Sequence, residues 1–162
     1  MMPENLSQSA YANTDLQRQL QRVTYEQIVQ LTTRELARRR IEDFTTYTKP
    51  DFEAAPHHKL ICKHLDMLIS GKIRFLRIEM PPRHGKSELG SIRLPSYFLG
   101  KNPSKQLIHI SHSASLSNDF SRQVRDTVEK SQQYRLLFPQ VTLSKTRARI
   151  DDWKTNQGGG FF

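Results

Sequence analysis

The stretch that decides the reading is Lys72–Ser87, KIRFLRIEMPPRHGKS. Leu76, Ile78 and Met80 alternate with charged or aromatic neighbours, the period-two pattern of a half-buried strand. Pro81 and Pro82 follow, then Gly85-Lys86-Ser87, after which Leu89 and Ile92 recur at helical spacing. Strand, loop, helix is the setting in which Gly-Lys-Ser holds phosphate as the back half of a Walker A loop. A glycine lets the backbone approach phosphate oxygens without an intervening side chain. Amides from Arg83 to Ser87, with the helix N-terminus, present partial positive charge to the anion. Lys86 would reach the β/γ-phosphates and the Ser87 hydroxyl would ligate Mg2+. The usual first glycine of the pattern is absent, because Met80 stands five residues before Gly85.

Upstream, residues 1–13 are polar and unpatterned and read as a mobile lead-in. Thr24 with Gln27, and Thr32 with Glu35, have the spacing of capping boxes, which predicts helix starts in an N-terminal helical segment over 14–55. Ala37, Ile41 and Phe44 recur on one helical face. Arg38-Arg39-Arg40 falls around the outer side, as a solvated face or a contact for DNA or a partner. Pro56 suits the first turn of a helix reaching about Ser70, with Gly71 as its stop and Leu60, Ile61, Leu65, Leu68 and Ile69 as its stripe. Cys62, beside that stripe, reads as packing.

Downstream, Pro95 is expected to interrupt the helix after the loop, and Gly100-Lys101-Asn102-Pro103 to end it. Gln106–Ser111 (QLIHIS) reads as a second strand. A second helix carries Leu116, Phe120, Val124 and Val128, and Phe138-Pro139 closes a further helical piece. Thr142–Arg149 reads as a basic connector, Trp153–Thr155 as a short strand, and Phe161-Phe162 as the beginning of another. Strand, loop, helix, strand, helix predicts an α/β fold with a parallel sheet. This would be an incomplete P-loop NTPase domain of RecA/ASCE type over 56–162, with flanking helices.

The formal net charge of the 162 residues is +9. Residues 1–50 hold 7 Lys/Arg against 6 Asp/Glu, and residues 51–162 hold 18 against 10, so the excess lies with the loop. Such an excess suits a polyanionic partner. A single cysteine excludes an internal disulfide framework and fits a reducing compartment. No apolar run is long enough to span a bilayer and no signal-peptide stretch is seen, which predicts a cytoplasmic protein with no membrane partner.

Met80-Pro-Pro-Arg-His-Gly-Lys-Ser-Glu-Leu89 resembles the ATPase loop of the terminase large subunits of tailed bacteriophages, many of which spell it Pro-Pro-Arg-His-Gly-Lys-Ser. The similarity extends to Pro56–Leu65 (PHHKLICKHL) before the loop. Beyond it come Tyr97–Pro103 (YFLGKNP), Ser111–Leu116 (SHSASL) followed by Phe120, Val124 and Arg125, and Gln157–Phe161 (QGGGF). It covers about residues 44–162.

The resemblance implies an ATP hydrolase that drives double-stranded DNA into a capsid. An N-terminal ATPase domain is followed in that family by a nuclease domain, and the subunits form a ring at the portal. ATP and Mg2+ are the implied cofactors. The portal protein, the terminase small subunit and further copies of the chain are the implied partners, in the cytoplasm of an infected or lysogenic bacterium. The nucleotide-contacting set would be Arg83, His84, Gly85, Lys86, Ser87 and Glu88, with Lys86 and Arg83 catalytic and Ser87 on Mg2+. Other branches carry the loop arginine one position earlier, where this chain has Pro82.

The family also places the segment before the first strand near the adenine, so Phe44, Tyr47 or His57 would touch the base or simply pack. Ser111-His112-Ser113 falls where helicase-like ATPases put a coupling or DNA-contact motif, and a capping role fits those serines equally. His57-His58 invites a metal reading, against which adjacent helical histidines point apart and no further Cys/His cluster accompanies them. Asp151-Asp152 lacks the buried apolar lead-in of a Walker B strand, its predecessors being Thr146-Arg147-Ala148-Arg149-Ile150. That strand is expected beyond Phe162, so residues 1–162 alone are expected to be inactive in hydrolysis. Two other readings stand beside this one: a helicase-like P-loop ATPase acting on nucleic acid, and a truncated prophage remnant without activity.

Overall fold

The computed structural model describes residues 22, 24–149 and 152–162; the lead-in over 1–13, Ile150 and Asp151 lie outside them. The chain divides into two compact units, Met1–Thr33 and Arg34–Phe162. In the first, residues 24–33 are helical throughout, so neither Thr24 nor Thr32 sits outside a helix as a capping residue must. Thr33 returns its hydroxyl to the Val29 carbonyl (2.8 Å), one turn back.

In the second unit, residues 34–39 are helical (α1), followed by α2 (Ile41–Thr48) and α3 (Pro56–Ile69). The start of α2 is capped from outside its own sequence: the Ile41 N–H donates to Asp66 Oδ1 on α3 at 3.0 Å. Burial holds the Asp66 carboxyl above its usual range despite that bond. Pro56 occupies the first turn of α3, where its missing N–H is no loss. The helix stops as expected, with Ser70 N–H on Asp66 O and Gly71 at φ 74°.

The next helix begins at Lys86 and is not interrupted at Pro95. Instead it widens into a π-helical stretch, Glu88–Arg93, before resuming as α4 (Leu94–Lys101). The Leu94 N–H donates to Leu89 O, five residues back. An α-turn at Pro95 would press its ring on the carbonyl four residues earlier, and the wider turn in front of it is the accommodation. Asn102 caps the helix end, as the sequence predicts.

The chain is α/β with a small mixed sheet of four strands. These are β1 (Gln106–Leu107), β2 (Leu143–Ala148), β3 (Trp153–Thr155) and β4 (Gly160–Phe161), in spatial order β1-β4-β3-β2. Only β1 and β4 are parallel, and the other two pairings are antiparallel, so the sheet is not the parallel one expected. The β1 ladder continues one bond past its strand, through His109 N–H on Phe162 O (2.8 Å). The basic stretch 142–149 is not a connector but contains β2, which ends the sheet; alternating Ser, Lys and Thr suit an exposed edge.

The largest departure is Lys72–Met80. Its side chains alternate, with Leu76, Ile78 and Met80 half-buried and Phe75, Arg77 and Glu79 exposed, and residues 72 and 74 are bends. Yet it joins none of the four strands. A strand exists only as part of a ladder, and periodicity reports the faces of a segment, not its edges.

Between β1 and β2 run α5 (Ala114–Lys130) and α6 (Gln132–Leu137). Ser113 and Ser131 cap them, accepting from the N–H of Leu116 and Tyr134. The core gathers an aromatic cluster of Phe44, Tyr97, Tyr134 and Phe138, with ring centroids 5.1 to 6.4 Å apart. Its two hydroxyls are satisfied: Tyr97 donates to Arg38 O (2.9 Å) and Tyr134 to Ser96 O (3.1 Å). Trp153 stacks on Phe161 at 5.9 Å and donates its indole N–H to Ser121 Oγ. Cys62 is buried there as packing, its thiol pushed up to about 12 mainly by burial.

Candidate functional site

Residues 81–88 curl at the head of the 86–101 helix, and Pro81, Pro82, Arg83, Gly85, Lys86, Ser87 and Glu88 line a cavity of about 400 Å³. Two backbone positions set the curl. Arg83 has φ 64° and Gly85 φ 81°, both left-handed. Gly85 takes that conformation freely, whereas for Arg83 it costs about 1–2 kcal/mol. No other described non-glycine residue has a positive φ.

The carbonyls of this loop are engaged by donors. Pro82 O accepts from His84 Nδ1 (2.7 Å), His84 O from His58 Nε2 (3.0 Å), and Gly85 O from the Leu89 N–H (3.0 Å). Among the described residues, the N–H groups of Arg83, His84 and Gly85 have no protein acceptor. The loop therefore spends its acceptors on protein and leaves these donors without a partner among the described residues. The first amides of the following helix lack intrahelical partners by construction.

Lys86 and Ser87 stand exposed on the first turn. Lys86 forms no ion pair among the described residues. Glu88 faces two cations: Oε2 lies 3.1 Å from Lys49 Nζ and Oε1 lies 2.7 Å from Arg93 Nε. Arg93 in turn donates to Thr48 Oγ1 (3.2 Å). The carboxylate thus ties the helix start to the end of α2. Its neighbours in the ion cluster, Lys49 and Arg93, are signalled by nothing in the sequence, because they lie 39 residues away and inside the π-helical stretch.

His58 is the other contact that the sequence hides. The metal reading of His57-His58 overlooks that both nitrogens of His58 are already used, Nδ1 accepting from the Ala55 N–H (3.2 Å) with Glu53 O also near. Among the described residues no group of three or more His, Cys, Asp or Glu is placed to hold a metal ion. The His57 ring lies 4.0 Å from that of His58 and 6.1 Å from that of His84, so the three imidazoles gather beside the loop.

Of the residues expected near a nucleotide base, His57 alone is placed with the loop by these contacts. Phe44 is fully buried among the core aromatics and cannot meet a base. Tyr47 is half-buried, its hydroxyl accepting from Arg34 Nε (3.3 Å). Ser113 serves as the cap of α5, the other role open to it. In the arginine run, Arg38 is exposed and lies 3.8 Å from Glu35, and it also caps α6 by donating to Leu137 O (2.8 Å) and Leu136 O (3.1 Å). Arg39 pairs with Glu35 at 2.7 Å, and Arg40 with Glu42 and Asp43 at 3.2 and 3.5 Å. Asp152 falls between two antiparallel strands, β2 and β3, and follows no buried apolar strand.

No protein-family model matches the chain, and neither a curated protein nor a solved structure does. No helix among the described residues is long and apolar enough to cross a membrane.

Proposed function

We propose that this chain is the N-terminal ATPase portion of a phage terminase large subunit, a P-loop NTPase that couples ATP hydrolysis to packaging of double-stranded DNA. The observation that carries the ATP-binding part is the loop at 81–88. Two left-handed residues, Arg83 and Gly85, turn its carbonyls onto protein donors and leave three consecutive amides without acceptors among the described residues. A concave run of unpaired N–H groups at a helix N-terminus is a polyphosphate cradle. Lys86 adds an ammonium with no ion pair among the described residues, and Ser87 offers the single hydroxyl ligand that Mg2+ takes when phosphate oxygens and water supply the rest. The Pro-Pro-Arg-His-Gly-Lys-Ser spelling and the flanking motifs support the terminase assignment over other nucleic-acid ATPases. The basic excess over 51–162 suits a DNA partner.

Glu88 sits in the cavity wall, and its carboxylate, in the ion cluster with Lys49 and Arg93, fixes the loop's exit. Calorimetric titration of residues 1–162 with ATP, with and without Mg2+, tests the assignment. Saturable binding that is lost in Lys86→Ala supports it, and identical heats for wild type and Lys86→Ala remove it. A helicase-like ATPase is the second reading. Packaging of DNA into proheads by the intact protein, or unwinding of a duplex instead, decides between them.

A further inference from the structure

We propose that His58 is a positioning residue for the phosphate loop: its Nε2–H holds the His84 carbonyl away from the anion, so that the loop amides stay convergent. The inference rests on the nucleotide-binding reading of that loop and names a residue the Gly-Lys-Ser motif does not contain. A peptide unit carries its N–H and C=O on opposite sides, so an amide can face an anion only if the preceding carbonyl faces away and finds a donor there. The Gly85 amide belongs to the peptide unit whose carbonyl is His84 O. That oxygen accepts from His58 Nε2 at 3.0 Å. Since a carbonyl only accepts, Nε2 carries the proton and Nδ1 is left to accept the Ala55 N–H, with Glu53 O at 3.3 Å a contact and not a hydrogen bond.

The same ring is fixed at its other end. Nδ1 accepts the Ala55 N–H at 3.2 Å, the backbone half of a capping arrangement at the start of α3. Phe52 lies against one side of the imidazole (centroids 5.0 Å) and His57 against another (4.0 Å). The ring also fills the space where a Cβ of residue 85 would be, 2.6 Å from Nε2. His58 therefore couples the N-terminus of α3 to one peptide of the loop through a short, oriented contact. Removing it frees the 84–85 peptide to rotate, and a flipped peptide would point a carbonyl at the phosphate.

The test compares residues 1–162 as wild type, His58→Ala, His58→Gln and Lys86→Ala. It uses fluorescent ATP-analogue titrations, thermal melts, and amide hydrogen exchange at 84–87. His58→Ala should weaken analogue binding about tenfold, the scale of one lost charge-assisted or positioning hydrogen bond, with the melt little changed. Glutamine keeps a donor at the position of Nε2, and His58→Gln should recover most of the affinity. With the analogue bound, so that phosphate holds the amide, exchange at Gly85 should be faster in His58→Ala than in wild type and nearer normal in His58→Gln. Binding that Lys86→Ala abolishes but His58→Ala leaves intact overturns the inference alone. Equal losses in the Ala and Gln variants, tracking a lower melting temperature, also overturn it, because the role would then be packing. Wild-type chain that binds no analogue overturns the nucleotide reading and this inference with it.

Discussion

His58 Nε2 stands where a side chain on Gly85 would have to be: a Cβ built there lies 2.6 Å from it. Gly85 also sits at φ 81°, so two independent constraints demand glycine. Gly85→Ala must strain the backbone by about 1 kcal/mol and push the imidazole off the His84 carbonyl. The melt should fall by a few degrees, while nucleotide affinity should fall more than tenfold, the loop being the part displaced. Because both substitutions disturb one contact, Gly85→Ala combined with His58→Ala should cost less than the sum of the singles. Strict additivity in titrations of the double variant would show that the contact carries no coupling.

Glu88 is bracketed by Lys49 and Arg93, and the Arg93 side chain is only 11% exposed. Glu88→Gln leaves that guanidinium with a neutral partner and Lys49 with none. Urea unfolding should record a loss of about 1–3 kcal/mol. Glu88→Ala should cost at least as much, and a loss under about 0.5 kcal/mol for both variants would assign the cluster to the ordinary surface class.

How much of this was legible in the sequence depends on whether the signal is local. The helix over Pro56–Ile69, its proline start and its Gly71 stop were readable because cap and stripe lie within one segment. The curl at Gly85 was readable for the same reason. Lys72–Met80 was read as a strand from true alternation, but pairing is a property of neighbours that the segment does not encode. The basic stretch 142–149 failed in the opposite sense. Its Ser, Lys, Thr and Arg look like a connector, yet pairing with β3 makes it an edge strand. At the site, Lys86 and Ser87 follow from the motif, whereas His58 and Lys49 reach the loop only through tertiary packing and Arg93 through the π-helical turn. Phe44, read both on a buried helical face with Ala37 and Ile41 and as a base contact or packing residue, is a core residue, as its spacing indicates.

Two phenylalanines make the contrast between core and edge measurable. Phe44 is fully buried against Tyr97, Tyr134 and Phe138, and Phe44→Ala should cost about 3–5 kcal/mol in denaturant unfolding. Phe75, on the 72–80 segment that joins none of the four strands, is 91% exposed. Phe75→Ser should change stability by under about 0.5 kcal/mol and raise the concentration at which light scattering appears. A stability loss for Phe75→Ser comparable to that for Phe44→Ala would mean that the segment is packed in solution.

Burial pushes the Cys62 thiol from 9.0 up to about 12, with Glu42 and Asp66 adding to it. The folded chain holds this proton more tightly than the unfolded chain. Its contribution to stability is therefore complete below pH 9 and declines as pH rises from 9 towards 12, where the native thiol also ionises. Tyr97 and Tyr134 are raised too, mainly by burial, and add to the same alkaline decline. Iodoacetamide at pH 8 should label native Cys62 at least about 100-fold more slowly than the urea-unfolded chain, since only the thiolate reacts. Equal labelling rates would show that the thiol is accessible in the folded state.

Arg83 combines a charge with a strained backbone, and two substitutions separate them. Arg83→Ala removes the guanidinium but keeps a Cβ at φ 64°; Arg83→Gly removes both the charge and the strain. Relief of the left-handed penalty, offset by glycine's freedom in the unfolded chain, should make Arg83→Gly more stable than Arg83→Ala by about 0.5–1 kcal/mol. The guanidinium is absent from both, so any catalytic deficit should be shared. In the ATPase reading, an arginine on this loop stabilises charge that develops as the γ-phosphoryl transfers, and both variants of the intact protein should lose kcat with little change in KM. A deficit confined to Arg83→Gly would instead assign residue 83 to holding the loop's shape, with the left-handed arginine kept for rigidity. A deficit in KM alone would make the guanidinium a binding group. Stability measured on residues 1–162 and kinetics on the intact protein give the two readouts separately, so strain relief cannot be mistaken for catalysis.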